Sequence, residues 1–313
     1  MVCPICKKAA SLAEDKIREG KGKVFHCNRC DLGILGKRIK NVKKYYESQY
    51  RKKYSFDIKT PASDPLGLFE VYKYFQDDRL KIIGPYLGKQ KRLLEIGCSA
   101  GQFLYYVKKK VKESQGIELD SACARFVRRR LSIEVYENEI DTYSHPRKYF
   151  DLICSFQVLE HIIDPVGFLK RVRYFLKDRG LVFIEVPNLH DSLLAAWQVE
   201  GYRRFYFREA HNYYFSLKSL RKIARLAGLT MKKAYFIQDY SLVNHFHWYF
   251  KDQPQTSCRE GLAKPRFAFN KKHNKFQSEF NMLIQKADQE YKDLLAKHNI
   301  ASNIFLILSK SRH

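Results

Sequence analysis

Two cysteine pairs near the N-terminus have the spacing of a metal site. Cys3 and Cys6 form one Cys-x-x-Cys pair, and Cys27 and Cys30 form a second after twenty intervening residues. Zinc prefers four tetrahedral ligands, and a Cys-x-x-Cys turn presents two sulfurs to one side of the ion. Because four thiolates leave no open position, the pattern predicts a structural zinc ion and not a catalytic one. A redox role has less support, since no strand–helix–strand context surrounds either pair.

A second set of residues has the spacing of a nucleoside site. The small-residue run 97–101, Gly-Cys-Ser-Ala-Gly, follows the apolar segment 93–96. Small residues there allow a ligand to approach the backbone closely. Glu118 ends the next apolar segment, about twenty residues further on, where a carboxylate can accept hydrogen bonds from ribose hydroxyls. Since Ser99 and Gln102 stand at the second and third glycine places of Gly-x-Gly-x-x-Gly, spacing alone leaves a dinucleotide site equally open.

These residues need a chain of alternating strands and helices to position them. Short apolar runs predict strands at 93–96, 116–119, 133–136, 150–155, 180–186, 230–237 and 304–308, the last antiparallel. Amphipathic spacing predicts helices at 66–87, 102–112, 121–130, 165–176, 217–226 and about 276–297. This alternation indicates an α/β fold with a mainly parallel sheet, which binds ligands at the carboxyl ends of its strands.

Four segments resemble the motifs of class I S-adenosylmethionine-dependent methyltransferases in order and spacing. They are residues 95–101, 116–120, 150–153 and 157–165, and the resemblance covers about residues 90–235. It implies a Rossmann-like, seven-stranded, mostly parallel sheet, S-adenosylmethionine as the cofactor and methyl transfer as the reaction. The cysteine pairs would then form a small zinc-ribbon-like module in front of that domain.

The resemblance also implies which residues bind the cofactor. Gly97 and Gly101 would flank its methionine part, Glu118 would hold its ribose, and Gln157 would line the pocket after the fourth strand. The complete predicted set is Glu95, Gly97, Cys98, Ser99, Gly101, Glu118, Leu119 and Gln157. The thiols of Cys98, Cys123 and Cys154 are expected to be buried as small apolar groups.

A hydroxyl acceptor needs a general base or a metal to remove its proton. The candidates are His161, His190 and His211, with Glu160 as a possible helper. In relatives, a histidine before the helix at 217–226 faces the acceptor, so His211 ranks first and His161 second. A structural role for the Glu160-His161 pair is the alternative.

The chain divides into three parts on this interpretation. Residues 1–36 form the zinc-binding knuckle, 37–88 a Tyr-rich connector with a leading helix, and 89–313 the methyltransferase domain with an insertion at about 238–300. The insertion carries an aromatic cluster that is either core or a wall of the acceptor site. No apolar run reaches the length of a membrane helix and no secretory signal is visible, so a cytoplasmic location is expected.

The choice of acceptor remains open between two classes. A zinc knuckle, a Tyr-rich connector and this domain resemble bacterial enzymes of glycan and nucleotide-sugar biosynthesis, which implies a sugar, nucleotide-sugar or other small hydroxylated metabolite. The net charge of +25 is concentrated in the flanks, +10 in residues 1–60 and +11 in 190–313, and would also suit RNA. Against RNA, Ser155-Phe156-Gln157-Val158 replaces the Asn/Asp-Pro-Pro-aromatic run of enzymes that methylate exocyclic base amines. A cofactor-binding protein without catalysis is a third alternative.

Overall fold

The computed structural model describes residues 1–37, 39, 45, 64–270 and 273–311. Most of the predicted Tyr-rich connector therefore lies outside the described residues. Among the helices that are described, none is long and apolar enough to cross a membrane.

The strands and helices are numbered here in chain order. The strands are β1 (Ser11–Ile17), β2 (Gly20–Cys27), β3 (Leu32–Leu35), β4 (Arg92–Ile96), β5 (Glu113–Ile117), β6 (Glu134–Tyr136), β7 (Phe150–Phe156), β8 (Leu176–Pro187), β9 (Tyr213–Phe215), β10 (Leu229–Ile237) and β11 (Asn303–Lys310). The helices are α1 (Pro65–Tyr72), α2 (Asp77–Ile83), α3 (Gln102–Val107), α4 (Ser121–Phe126), α5 (Pro165–Phe175), α6 (Ser192–Ala195), α7 (Glu200–Tyr206), α8 (Leu217–Leu226), α9 (Leu242–Lys251), α10 (Cys258–Leu262) and α11 (Asn274–Lys297).

Seven strands form the central sheet in the order β10-β11-β8-β7-β4-β5-β6. Within this described sheet, only β11 runs antiparallel to the other strands. Strand β4 lies between β5 and β7, so the strand order reverses there. Ligands bind such sheets at this switch point, outside the carboxyl ends of the strands. The predicted seven-stranded, mostly parallel α/β sheet is confirmed.

The central strands are buried on both faces, as parallel strands with helical crossovers require. Leu93 packs into the hydrophobic cluster on one face of the sheet, and its neighbour Leu94 packs into the cluster on the other. Helix starts are set by local sequence. Asp164 accepts a hydrogen bond from the N–H of Gly167 and precedes Pro165, a combination that favours a helix N-terminus at α5.

A second sheet joins the cysteine-containing module to the methyltransferase segment. Its antiparallel order is β1-β2-β3-β9, with Leu32 opposite Phe215 and Ile34 opposite Tyr213. The three-residue strand β9 is not predicted from the sequence. It means that the N-terminal module completes its sheet with a strand from the segment after residue 210.

Several predicted boundaries differ from the structure. The single helix predicted at 66–87 is two helices, because a 3₁₀ turn at Lys73–Phe75 interrupts it. Helix α3 ends at Val107, and β8 begins at Leu176, directly after α5 and four residues before its predicted start. The helices α6, α7, α9 and α10 are also absent from the sequence-based prediction.

Candidate functional site

The loop after β4 has a backbone that requires glycine. Gly97 and Gly101 have φ angles of +74° and +78°, in the left-handed region that L-residues avoid. A Cβ on Gly97 would overlap the side chain of Val158, and one on Gly101 would lie 2.7 Å from Leu131. The loop is held against β5, because the N–H of Gly97 donates to the carbonyl of Ile117 at 2.8 Å. It therefore lies at the switch point, against the segment that follows β7.

Glu118 lies at the carboxyl end of β5 and faces this loop. One carboxylate oxygen accepts a hydrogen bond from the N–H of Ser99 at 2.7 Å, and the other accepts one from the N–H of Asp120 at 2.9 Å. The structure therefore brings together the two motifs that the sequence separates by about twenty residues. Leu119 follows Glu118 and is half-buried.

Cys98 and Glu95 differ in how they can contribute to this site. The thiol of Cys98 is buried against Gly116 of β5, so contact with a ligand would have to come from its backbone. Glu95 is buried within β4, and its Oε2 has no hydrogen-bond partner among the described residues. Burial raises the pKa of Glu95 to about 8, with Arg79 opposing this effect and Glu118 adding to it.

Gln157 follows β7 in a left-handed conformation, with φ +56°. Its side-chain amide donates hydrogen bonds to Glu185 of β8 and Asn303 of β11, both at 3.0 Å. Glu185 also accepts from Nε of Arg79 at 2.9 Å, and the Arg79 guanidinium lies 4.5 Å from the centroid of Phe156. These polar side chains connect α2 with β7, β8 and β11 at the end of the sheet where β7 and β8 finish.

Sequence reasoning missed Arg79, Glu185, Asn303 and Asp239 at this end of the sheet. Asn303 donates a hydrogen bond to Asp239 at 2.7 Å, and burial, followed by the charge of Glu185, raises the pKa of Asp239 to about 7. One signal was available. Glu185 is the one charged residue in the apolar run 181–187 of β8, where residues 182–186 are buried.

Glu160, His161 and His211 form a buried cluster after β7. One potential ligand atom from each lies within 4.8 Å of the others, and the two imidazole centroids are 4.8 Å apart. Nδ1 of His161 lies 2.7 Å from the carbonyl of Ala210, so this nitrogen carries the proton and Nε2 has the lone pair. Asn212 donates to the carbonyl of His161 at 2.6 Å and links the two segments.

The charge states in this cluster follow from burial. Burial lowers the pKa of His161 to about 3 and also lowers the pKa of His211, so both imidazoles are neutral at pH 7. Burial raises the pKa of Glu160 to about 8. His190, the third candidate base, lies elsewhere: its Nε2 is 2.8 Å from Asp31 in the N-terminal module.

The four cysteines of the two N-terminal pairs lie together. Their sulfurs are all within 4.8 Å of one another, and Cys3, Cys27 and Cys30 are almost fully buried. A tetrahedral zinc ion with Zn–S bonds of about 2.3 Å needs sulfurs roughly 3.8 Å apart. The ammonium of Lys222 lies 3.6 Å from the sulfur of Cys30, where it can offset thiolate charge. The donor set and its spacing fit zinc.

The fold and the site define a class of Rossmann-like proteins that bind a nucleoside-containing cofactor at the sheet switch point. A family model described as a methyltransferase domain matches residues 69–234. The chain is 24% identical over 184 residues to a ubiquinone biosynthesis O-methyltransferase of Nitrosomonas europaea, covering 53% of this chain and 76% of that protein. It is also 26% identical over 97 residues to a probable S-adenosylmethionine-dependent methyltransferase of Mycobacterium tuberculosis, of which the match spans only 35%.

Among solved structures, an S-adenosylmethionine-dependent methyltransferase of Archaeoglobus fulgidus aligns with a TM-score of 0.50 and 19% identity. The alignment covers 76% of this chain and 94% of that one, which supports the fold. The chain belongs to the methyltransferase-domain family and is an S-adenosylmethionine-dependent methyltransferase. The family and the cofactor predicted from the sequence are confirmed.

Proposed function

We propose that the enzyme methylates a hydroxyl group of a small metabolite, with a sugar or nucleotide-sugar as the first candidate acceptor. The observation that carries this proposal is the pair of buried imidazoles, His161 and His211, whose ring centroids are 4.8 Å apart, beside the segment that packs on the cofactor loop. A neutral imidazole can take a proton from an acceptor hydroxyl, whereas a protonated one cannot. The matched relative named as an O-methyltransferase supports an oxygen acceptor.

In this proposal the chain mainly aligns two reactants and excludes water. S-adenosylmethionine supplies an activated methyl group on a sulfonium. The backbone of 97–101 leaves room for its methionine part, and Glu118 accepts hydrogen bonds from its ribose hydroxyls. Glu95, Cys98, Ser99, Leu119 and Gln157 complete the proposed cofactor set. His211 is the first choice to accept the acceptor's proton and His161 the second.

We propose that the four cysteines hold a structural zinc ion. The shell of four sulfurs has no open position, and β3 of the same module pairs with β9, two residues after His211. The zinc site would therefore support the position of the proposed base without taking part in the reaction.

RNA is the second candidate acceptor, and a specific surface supports it. Arg221, Arg225, Lys232 and Lys233 line one open concavity between α8 and β10, in a chain of net charge +25. Clustered basic side chains of this kind attract phosphates. The small-molecule acceptor is preferred because of the named O-methyltransferase relative.

The test begins with calorimetric titration of S-adenosylmethionine into RNA-free protein. Glu118→Ala should weaken binding roughly tenfold or more, because hydrogen bonds to a charged carboxylate are lost. Glu134→Ala, on the exposed face of β6, should leave the affinity unchanged. Equal affinities for wild type and Glu118→Ala would contradict the proposed role of Glu118.

An acceptor screen with methyl-labelled cofactor then separates the two acceptor classes. Label on a nucleotide-sugar or another small hydroxylated compound, and none on RNA, is the expected result. Label on RNA alone would replace the first candidate with the second. His211→Ala should lower methyl transfer while cofactor affinity stays within a few-fold of wild type, and unchanged transfer would rule out His211 as the base.

A further inference from the structure

The cluster of Glu160, His161 and His211 contains more unsatisfied polar atoms than a folded core normally leaves. Glu160 is 1% exposed, His211 is 2% exposed and His161 is 8% exposed. Neither carboxylate oxygen of Glu160 receives a hydrogen bond from another described residue, and neither ring nitrogen of His211 has a partner among them. Buried polar groups are nearly always hydrogen-bonded, so four such atoms in one place indicate a missing ligand.

A proton shared inside the cluster would not satisfy these atoms. The shortest approach between the carboxylate and the imidazole of His161 is 3.6 Å, from Oε1 of Glu160 to Nε2, which is too long for a hydrogen bond. The cluster brings one ring nitrogen of each histidine and one oxygen of the Glu160 carboxyl group within 4.8 Å of one another, and an ion that binds there would displace the carboxyl proton.

The donor set has the composition of a metal site. Two imidazoles and one carboxylate form sites for divalent transition metals in which three protein ligands leave further coordination positions free for water or substrate. The bond from Nδ1 of His161 to the Ala210 carbonyl directs Nε2 of that ring at Glu160, and an outer hydrogen bond of this kind normally orients a metal-bound histidine. The hydrogen bond from Nδ1 leaves the lone pair of His161 on Nε2, and both ring nitrogens of His211 lack a hydrogen-bond partner among the described residues.

We infer that Glu160, His161 and His211 bind a divalent transition-metal ion through a carboxylate oxygen, Nε2 of His161 and one ring nitrogen of His211. Binding itself does not depend on which acceptor is methylated, whereas its role rests on the proposed function. Three protein ligands leave coordination positions open, and an ion lowers the pKa of a hydroxyl that reaches it. In the metal-bound form the ion would make the acceptor hydroxyl more acidic, its proton would pass to solvent, and His211 would act as a ligand in place of the direct base named above.

This site differs in chemistry from the four-cysteine site. Thiolates are soft ligands that select zinc, while nitrogen and oxygen ligands also accept harder ions such as Mn²⁺. Mn²⁺ is therefore a probe that reports the proposed site while zinc remains in the knuckle. The electron paramagnetic resonance signal of free aqueous Mn²⁺ decreases when the ion binds to a protein.

The experiment is an electron paramagnetic resonance titration of the full chain, zinc-loaded at the cysteines, with Mn²⁺. Wild type should bind one Mn²⁺, while Glu160→Gln and His211→Ala should each weaken binding roughly tenfold or more. Glu200→Gln, at the start of α7, and His298→Ala, in the turn after α11, remove the same group types from exposed positions and should bind as wild type does. Circular dichroism verifies that each variant is folded.

Two results would overturn the inference. One is a wild-type titration in which the free Mn²⁺ signal equals that of buffer alone. The other is a folded Glu160→Gln or His211→Ala variant that binds Mn²⁺ as tightly as the two exposed-site controls. Because wild-type binding is measured first, failure of a variant to fold leaves the inference testable. Calorimetry with S-adenosylmethionine, run in parallel, shows whether the cofactor site is intact, so failure of the metal site is distinguishable from failure of the proposed function.

Discussion

Arg79 and Glu185 form an ion pair in which the carboxylate is buried and the guanidinium is partly exposed. Burial alone would raise the pKa of Glu185, but the guanidinium of Arg79 and the amide of Gln157 hold it below its usual value. Arg79→Met would leave the carboxylate buried without its cation, so the free energy of unfolding should fall by about 3 kcal/mol. Urea unfolding measures this change.

The double variant Arg79→Met/Glu185→Gln gives the control for that prediction. A neutral amide needs no cation, so the double variant should recover part of the loss, with a coupling free energy of about 1–3 kcal/mol. Purely additive losses would show that the pair does not act as a unit and that the stability change comes from packing.

Asp191 is a buried carboxyl group with a predictable pH effect. It accepts hydrogen bonds from the N–H of Leu193 at 2.8 Å and the hydroxyl of Tyr202 at 3.2 Å, yet burial raises its pKa to about 7. The titratable groups that face it, Tyr202, Tyr206 and Tyr291, all have raised pKa values and stay neutral in this range. The folded state therefore holds a proton that an unfolded carboxyl, with a pKa of about 4, releases.

Its stabilising effect should be complete below about pH 4 and lost as the pH rises to about 7. Asp191→Asn should remove this contribution, making the free energy of unfolding less pH-dependent by about 2–4 kcal/mol between these limits. Chemical unfolding of both proteins from pH 4 to pH 8 tests the prediction. Parallel pH profiles for the two proteins would mean that Asp191 is ionised in the folded state.

The sequence identified individual residues best where a motif is local. Glu118 could be placed beside the glycine loop because parallel strands align their carboxyl ends, and the structure shows its carboxylate at the Ser99 N–H. Arg79 and Glu185 are 106 residues apart, and nothing in the local pattern of either pairs them. Only the packing of α2 against β8 creates that contact.

Among the helices, α8 has the most complete N-terminal cap. The hydroxyl oxygen of Ser216 accepts a hydrogen bond from the N–H of Ser219 at 3.2 Å. In return, the hydroxyl oxygen of Ser219 accepts one from the N–H of Ser216 at 2.9 Å. The Ser216 hydroxyl also donates to the carbonyl of Asp31 at 2.6 Å. The cap thus fixes the helix to the N-terminal module.

Ser216→Ala should lower the free energy of unfolding by about 2 kcal/mol, because a cap and a buried hydrogen bond are lost together. Ser257→Ala removes the cap of the five-residue helix α10 and should cost less than about 1 kcal/mol. Thermal unfolding of both variants measures the difference. Equal effects at the two positions would contradict the additional role given to the contact with Asp31.

Elements with strong periodicity were predicted well, and short ones were not. The strands at 93–96 and 150–155 and the helix at 217–226 match β4, β7 and α8 closely. Strand β9 has three residues and gives no periodic signal of its own; it becomes a strand because β3 lies beside it. Such an element depends on tertiary pairing, which a single sequence does not display.

Across the whole molecule, the N-terminal module and the methyltransferase segment share one core. Cys3, Cys27 and Cys30 belong to the same hydrophobic cluster as Phe215 and Leu220. Hydrogen bonds from Ser216 and Lys222 to the backbone of residues 29–31 add to this contact. The predicted division at residue 36 therefore separates two segments of the sequence, but the hydrophobic core is continuous across it.

This shared core predicts how loss of zinc should affect the enzyme. Cys27→Ser removes one proposed ligand, and the metal-binding free energy of such a site contributes to folding. The variant should lose zinc and melt at a temperature about 10 °C lower or more, in one transition, because the module cannot unfold without exposing the cluster around Phe215. Cys258→Ser, far along the sequence from the four ligands, is the control.

Cofactor binding and methyl transfer should respond differently to Cys27→Ser. The cofactor loop follows β4 and Glu118 follows β5, and neither strand pairs with the module, so S-adenosylmethionine affinity should stay within a few-fold of wild type. His211 precedes β9 by two residues, and β9 pairs with β3, so methyl transfer should fall much further than affinity. Zinc analysis, calorimetry and a labelled-cofactor assay measure the three quantities on one sample. Loss of zinc with transfer unchanged would mean that β9 holds His211 in place without the module.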